Sequence, residues 1–299
     1  MSSGCNNVAG GSNVTRVVDA KSKGMLLPRM GLQSLALRNP FRSLFGPSRH
    51  HRLLAVLPFR DEMRFLPDWF ANVSPHVDGV VALDDGSLDG SAEFVARQSN
   101  VLALLRQARR PAEEWDCGAN RRRLYAAAGA VGAQWILGLD ADERVEKDFR
   151  RRAEREIDRL ESRGWTAGAV RLRELWDRPD RIRVDGLWGA KAPGRLFAYR
   201  EHAELDQRRL HGHWPPLDSL RRDAEGRESF EPLDLEVYHL RMLRAEDREG
   251  RRDRYNHLDP ERRFQAMGYD YLTDTSSLAV VPLSPGREFQ PMPPMPGVA

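Results

Sequence analysis

Between residues 52 and 164, short apolar runs alternate with amphipathic stretches, and this alternation constrains the fold more than any other feature of the chain. RLLAVLPF (52–59), GVVALD (79–84), VLALL (101–105) and QWILGLD (134–140) are too short for helices and read as buried strands. The stretches between them have helical spacing. In EMRFLPDWFANV (62–73), Phe65, Trp69 and Val73 fall four apart, and Pro67 delays the helix start. SAEFVARQ (91–98) reads as a helix with Asp89 or Ser91 as its N-cap. ANRRRLYAAAGAVG (119–132) puts Leu124, Ala127, Ala128 and Val131 on one side. After the fourth run, Val145, Phe149, Ala153, Ile157 and Leu160 form the inner stripe of a further helix. Strands alternating with helices at this spacing need crossover connections, hence a mostly parallel central sheet flanked by helices.

From about residue 165 the alternation weakens. GAVRLRELW (168–176), RIRVDGLW (181–188), GRLFAYR (194–200) and LDLEVYHL (233–240) read as strands with no helices between the first three, and RAEDREGRRDRYNHL (244–258) as a helix. The expected organisation is a flexible leader (1–48), an α/β half (49–164), a mixed α+β half that shares its sheet (165–280) and a disordered tail (281–299) whose prolines oppose regular structure. Within the leader, MGLQSLALRNPFRSLF (30–45) has the pattern of a short basic amphipathic helix that would lie on a membrane surface or a partner. Its surroundings, rich in Gly, Ser, Asn and Arg, favour a leader without fixed structure.

Of the 299 residues 40% are hydrophobic, enough for one large core or two modest ones. The 47 basic and 44 acidic side chains leave a formal charge of +3, and the abundant arginine suits phosphorylated small molecules or anionic surfaces. No basic and aromatic residues interleave as in a nucleic-acid module, so nucleic acid is not an expected partner. Cys5 and Cys117 form neither a disulfide framework nor a CxxC pair, which suits a reducing compartment. No apolar run has the length of a membrane span or a secretion signal. The expectation is a cytoplasmic protein, with peripheral contact at the inner face of the membrane as the alternative.

The predicted strands end in acids: Asp61 and Glu62 follow the first, Asp84 and Asp85 the second, Asp140 and Asp142 the fourth. Ligands of open parallel sheets bind beyond the carboxyl ends of the strands. Carboxylates gathered there repel one another, so a cation belongs among them; oxygen ligands point to Mg²⁺ or Mn²⁺ rather than zinc. Neither a GxGxxG nor a P-loop sequence offers another explanation. In an extended segment Asp140 and Asp142 project to the same side, where they would reach a metal, a ribose hydroxyl, or both.

Leu233, Leu235, Val237 and His239 share one face of a strand, which makes His239 either a nitrogen ligand to the same metal or a core histidine. His211 and His213 are spaced like ligands but read as part of a flexible acceptor loop. Arg121 and Arg195 would offset phosphate charge, and Trp188 either stacks on a sugar or belongs to the core.

DDGSLDGS (84–91), WILGLDADERV (135–145) and the Asn120-Arg121 opening of an alanine-rich helix together resemble the nucleotide-binding half of family 2 glycosyltransferases with the GT-A fold. The Asp-Ala-Asp-Glu-Arg form is similar to the bacterial subgroup that builds lipopolysaccharide cores and other surface glycans. The resemblance covers 52–150 well and 165–260 more loosely, through KAPGRLF (191–197) and the late YHL.

It implies a nucleotide-diphospho-sugar donor, a glycan or glycolipid acceptor, a Mn²⁺ or Mg²⁺ cofactor and inversion at the anomeric carbon. Asp84 would contact the base or ribose, and Asp85 would support that loop. Asp61 would complete the nucleotide site, Asp140 would lie near the ribose or metal, and Asp142, joined by His239, would bind the metal. The first strand departs from the family's usual Asn-Glu pair with Arg60-Asp61-Glu62, which leaves the identity of the base open. Asp185 is the choice for catalytic base, ahead of Glu201 and Asp206; Glu246-Asp247 looks like a helix start. Two other readings remain open: a metal-dependent sugar-phosphate nucleotidyltransferase, and a non-catalytic binding protein of the same fold.

Overall fold

The structure, a computed structural model, describes residues 16–19, 50–222 and 228–293. Its first part runs β1 (Arg16–Asp19), β2 (His51–Phe59), α1 (Leu66–Val73), β3 (Gly79–Asp84), α2 (Ser91–Ala96), β4 (Val101–Arg106), α3 (Cys117–Ala130), β5 (Ala133–Gly138), β6 (Glu143–Val145) and α4 (Phe149–Ser162). The second part contains β7 (Ala167–Trp176), β8 (Arg178–Arg183), α5 (Gly186–Gly189), β9 (Gly194–Ala198) and the short pair β10 (Arg221–Arg222) and β11 (Glu228–Ser229). It closes with β12 (Glu231–His239), α6 (Ala245–Leu258) and β13 (Val280–Pro282).

One sheet of eleven strands spans both parts in the order β1-β4-β3-β2-β5-β9-β7-β12-β6, with β8 on β7 and β13 on β8. β1, β4, β3, β2 and β5 pair in parallel. β9 is antiparallel to both β5 and β7, so β7 and its parallel neighbour β12 run the same way as the first block. The carboxyl ends of β2, β3, β5, β7 and β12 therefore open on one edge of the sheet. The expected α/β architecture, mostly parallel with a mixed continuation in the same sheet, is present.

Alternate residues of β2 enter opposite layers, as the pleat requires. Leu53 and Leu57 pack with Trp69, Val73, Phe149 and Ile157 beneath α1 and α4, whereas Leu54 and Val56 pack with Leu124, Ala127 and Ala128 beneath α3. The alanines and Gly129 let α3 approach closely; a Cβ on Gly129 would stand 2.0 Å from the Tyr199 ring.

Several boundaries depart from the sequence pattern. The fourth strand stops at Gly138 rather than Asp140, because a turn follows in which Asp140 donates its N–H to Glu143 Oε2 at 2.9 Å. Val145 belongs to β6 and not to the helix, which starts at Phe149. Residues 186–189 form a short helix instead of prolonging β8. The tail was expected to be disordered from 281, yet β13 pairs with β8 and Phe289, fully buried, stacks on Tyr238 at 4.9 Å. Proline is tolerated at a sheet edge, and one aromatic anchor with the Arg287–Glu146 pair at 2.8 Å holds the segment down. Residues 16–19, expected to be part of an unstructured leader, form the strand beside β4. The amphipathic helix expected over 30–45 lies outside the described residues. Among the described residues no helix is long and apolar enough to cross a membrane.

Candidate functional site

At the carboxyl edge of the sheet lies a cleft of about 570 Å³. Its wall is made by the residues after β2, β3 and β5, by the start of α3, by β9 and β12, by the loop around His211 and by the last turns of α6. Seven arginines line it (Arg60, Arg109, Arg121, Arg195, Arg241, Arg251 and Arg254), together with Asp61, Glu62, Asp85, Asp140 and Asp142. The structure thus collects Asp61, Asp85, Arg121, Asp140, Asp142, Arg195 and His239, all expected at the site, around one space.

Of the pair at the end of β3, Asp85 and not Asp84 lines the cleft. Asp84 does not line the cleft; its Oδ1 accepts the Ser87 N–H at 2.8 Å and shapes the turn. Asp85 lines the cleft, is 2% exposed and, among the described residues, has no hydrogen-bond donor on either oxygen, with Arg110 Nη2 3.6 Å away. The small residue at 86 does not make room for a ligand. Gly86 has φ +82°, and a Cβ there would meet the Cα of Arg109 at 2.4 Å. Glycine is needed because another backbone crosses it. Asp61, at φ +55°, binds that same turn: it accepts the Leu88 N–H at 2.7 Å and pairs with Arg109 at 2.7 Å.

Asp140 and Asp142 leave the β5–β6 turn toward different partners. Asp140 faces Arg195 at 3.4 Å, while a second carboxylate, Glu143, also grips that guanidinium. Asp142, 5% exposed, meets His239 Nε2 at 3.3 Å and Arg241 Nε at 2.6 Å. Burial would raise the Asp142 carboxyl, but Arg241 and His239 overcome it and hold it well below the usual range. Glu62, which pairs with Arg241 from the other side, is pushed up to about 7 by its burial.

His239 stands at the end of β12 because the register sets it beside Glu174 of β7 and Glu143 of β6. Glu174 Oε2 lies 2.5 Å from its Nδ1, and Lys191 holds the other oxygen of Glu174 at 2.7 Å. Burial lowers the basicity of the imidazole, but Glu174 and Asp142 outweigh it and raise its pKa to about 9. A carboxylate on Nδ1 aims Nε2 toward Asp142, the arrangement that orients a metal-binding imidazole. Among the described residues no group of three or more His, Cys, Asp or Glu side chains is placed to hold a metal ion. Arg251 Nη1 also reaches His239 Nε2, at 2.9 Å.

Other expected residues lie elsewhere. Asp185 is not part of the cleft: Arg183 binds it at 2.8 Å through each oxygen, the Ala279 N–H adds a third bond at 3.1 Å, and these bonds hold its carboxyl far below the ordinary range. Glu201 and Asp206 do not line the cleft either; Asp206 ties its own loop, accepting the N–H groups of Arg208 and His213 at 2.9 and 2.8 Å. Trp188, 3% exposed, packs on Trp176 and Tyr271 and is a core residue. His213 lies outside the cleft, edge-on to Phe230, whereas His211 lines it.

Sequence reasoning missed Arg241, Arg251, Arg254 and Glu174. Arg241 carried a signal, two residues beyond His239. The others did not, since arginines on α6 look like any solvated helix face until the helix is placed.

No protein-family model matches the chain, and no curated protein sequence matches it. Solved structures resemble its chain path. The mannosyltransferase PcManGT from Pyrobaculum calidifontis, in complex with GDP-Man and Mn²⁺, is 15% identical over 75% of this chain and 70% of that one, with a TM-score of 0.40. S. aureus TarS 1-349 in complex with UDP-GlcNAc is 14% identical over 42% and 34%, with a TM-score of 0.31. Glucosyl-3-phosphoglycerate synthase from Mycobacterium tuberculosis, in complex with Mn²⁺, UDP and glucosyl-3-phosphoglycerate, is 15% identical over half of each chain, with a TM-score of 0.28. The match spans about a third of the length of the TarS 1-349 chain.

Proposed function

We propose that the cleft binds a nucleotide-diphospho-sugar and that the protein transfers the sugar, with inversion, to a hydroxyl of a glycan or glycolipid. The observation that carries this reading is the order of groups along the carboxyl edge of the sheet. After β3 stands Asp85, a buried carboxylate with no donor on either oxygen among the described residues, which would accept hydrogen bonds from a base or ribose. On β9, after β12 and on α6, further along the same edge, stand Arg195, Arg241 and Arg251, which would take the diphosphate. The base-contacting role thus passes from Asp84 to Asp85.

Asp142 and, once the cation displaces its Nε2 proton, His239 suit a divalent cation. Their nearest atoms are 3.3 Å apart, close to the separation of adjacent ligands at about 2.1 Å from an octahedral ion. Two protein ligands leave positions for phosphate oxygens, as Mg²⁺ and Mn²⁺ prefer. When bound, the cation would neutralise charge developing on the leaving diphosphate. Arg241 and Arg251 contact the same two atoms, so guanidinium and cation compete for them. The arginines would hold and orient the diphosphate, and Arg195 also contacts Asp140.

A thermal-shift panel tests the proposal: UDP-, GDP- and dTDP-sugars with and without Mn²⁺, on the wild type and on Asp142→Ala. One donor should stabilise the wild type further in Mn²⁺, and the variant should lose that increment. Sugar phosphate plus nucleoside triphosphate giving product would favour nucleotidyl transfer instead. No stabilisation by any sugar nucleotide would end the reading.

A further inference from the structure

We propose that His211 is the catalytic base that takes the proton of the acceptor hydroxyl, positioned by Tyr269 and Asp259; this rests on the glycosyl-transfer reading of the cleft. The carboxylates of the cleft leave little choice. Asp61 meets Arg109, Glu62 and Asp142 meet Arg241, and Asp140 meets Arg195. Asp85 belongs to the nucleotide end, and Asp185 lies outside the cleft.

A three-residue chain fixes the tautomer of His211. Asp259, 3% exposed, accepts the N–H groups of Arg263, Phe264 and Gln265 at 2.7, 3.2 and 3.2 Å, and the Tyr269 hydroxyl at 2.8 Å. Burial would raise the carboxyl, but the Tyr269 hydroxyl and these amides outweigh it, so Asp259 stays ionised. The single hydroxyl proton of Tyr269 is committed to Asp259, which leaves its oxygen as an acceptor. His211 Nε2, 2.9 Å from that oxygen, must then carry the ring proton. Nδ1 keeps the lone pair, and among the described residues nothing hydrogen-bonds to it.

The loop is built to hold this ring. His211 has φ +53°, a backbone conformation that costs a histidine energy and persists only where its surroundings enforce it. Those surroundings are specific. Arg209 O accepts the Gly118 N–H at 3.2 Å, Arg121 binds Gly212 O, and Asp206 holds the His213 N–H. A Cβ on residue 118 would stand 2.0 Å from Arg208 O, so the loop presses directly on the start of α3. The imidazole packs against Tyr255 and Tyr269, with ring centroids 5.0 and 5.7 Å away.

In the step this geometry serves, the acceptor O–H bond breaks as its oxygen bonds to the anomeric carbon. The proton passes to Nδ1, and the electron pair of the sugar–phosphate C–O bond leaves with the nucleoside diphosphate. The imidazolium donates through Nε2 to Tyr269, one hydrogen bond from the Asp259 charge, and then returns the proton to solvent.

The surroundings of the ring set its basicity. Burial, Arg251 on α6, Arg121 on α3 and Arg208 in its own loop pull its pKa to about 4, and Asp259 opposes them. It is therefore neutral at physiological pH, with the basicity of a carboxylate. A diphosphate against Arg121 and Arg251 would offset their charge and raise that basicity once the donor is bound.

The test uses ¹⁵N-histidine-labelled full-length protein, with His211 signals assigned by their loss in His211→Gln. Long-range ¹H–¹⁵N spectra should show Nε2–H with bare Nδ1, a midpoint below pH 5, and a rise in that midpoint when UDP, GDP or dTDP, whichever binds, is added. Nucleoside diphosphate release from the matching donor, with water as acceptor, should fall by about 100-fold or more in His211→Gln, while nucleoside diphosphate affinity stays unchanged. Tyr269→Phe should move the pH profile of the same release. The opposite tautomer, or undiminished release by His211→Gln at saturating donor, overturns the assignment. If none of UDP, GDP and dTDP binds the wild type, the reading of the cleft falls and the base assignment falls with it.

Discussion

Asp85 is a carboxylate that folding alone does not justify. It is 2% exposed, among the described residues neither oxygen has a donor, and the Arg110 guanidinium is 3.6 Å away. Burying an unsatisfied polar group costs about 1–3 kcal/mol. Asp85→Asn removes the charge while keeping the shape, so denaturant titration should find the variant as stable as the wild type or about 1 kcal/mol more stable. Its affinity for the nucleotide that binds the wild type should fall by about 10-fold or more, because the amide loses half of its acceptor capacity. A loss of stability with unchanged affinity would show that Asp85 serves the fold and not the ligand.

The segment after β13 acts as a structural element although its sequence reads as linker. Phe289 fills the space over Tyr238, one residue before His239, and Arg287 crosses to Glu146 on the far edge of the sheet. Phe289→Ala should cost about 3–5 kcal/mol in chemical denaturation, the range for emptying a buried aromatic site. A cost below about 0.5 kcal/mol, the size of an ordinary surface substitution, would mean the segment does not pack as described. The mistaken expectation of disorder has a physical source. Proline density opposes helices and central strands, but it does not prevent an edge pairing fixed by one aromatic side chain.

Across the whole molecule, the cleft gathers groups whose protonation opposes one another. His211 is pulled from 6.5 to about 4, so the unfolded chain binds a proton between those values that the folded chain refuses. Its contribution to stability is present above pH 6.5 and is lost as the pH falls to 4. Glu62 and Glu143, pushed up to about 7 by burial, act in the other sense: the folded chain takes their protons below 7, the unfolded chain only near 4.5. Comparison of wild type with His211→Gln separates the two. The stability of the wild type relative to the variant should decline from pH 6.5 to 4 in urea titrations. A constant difference would mean that His211 titrates as it would in water.

The sequence by itself determined the layered α/β architecture and the acidic strand ends, because strand and helix periodicity and the position of a carboxylate after an apolar run are local properties. That Asp140, Asp142 and His239 come to line the cleft was legible on those grounds. Tertiary structure alone decided which of Asp84 and Asp85 lines the cleft, since adjacent residues at a strand end differ only in the side to which the backbone turns them. It also decided that Arg241 and Arg251 reach Asp142 and His239, and that Asp259 and Tyr269 stand behind His211, 48 and 58 residues away in sequence. Such contacts depend on strand register and on where a helix docks, and no local pattern of residues encodes either.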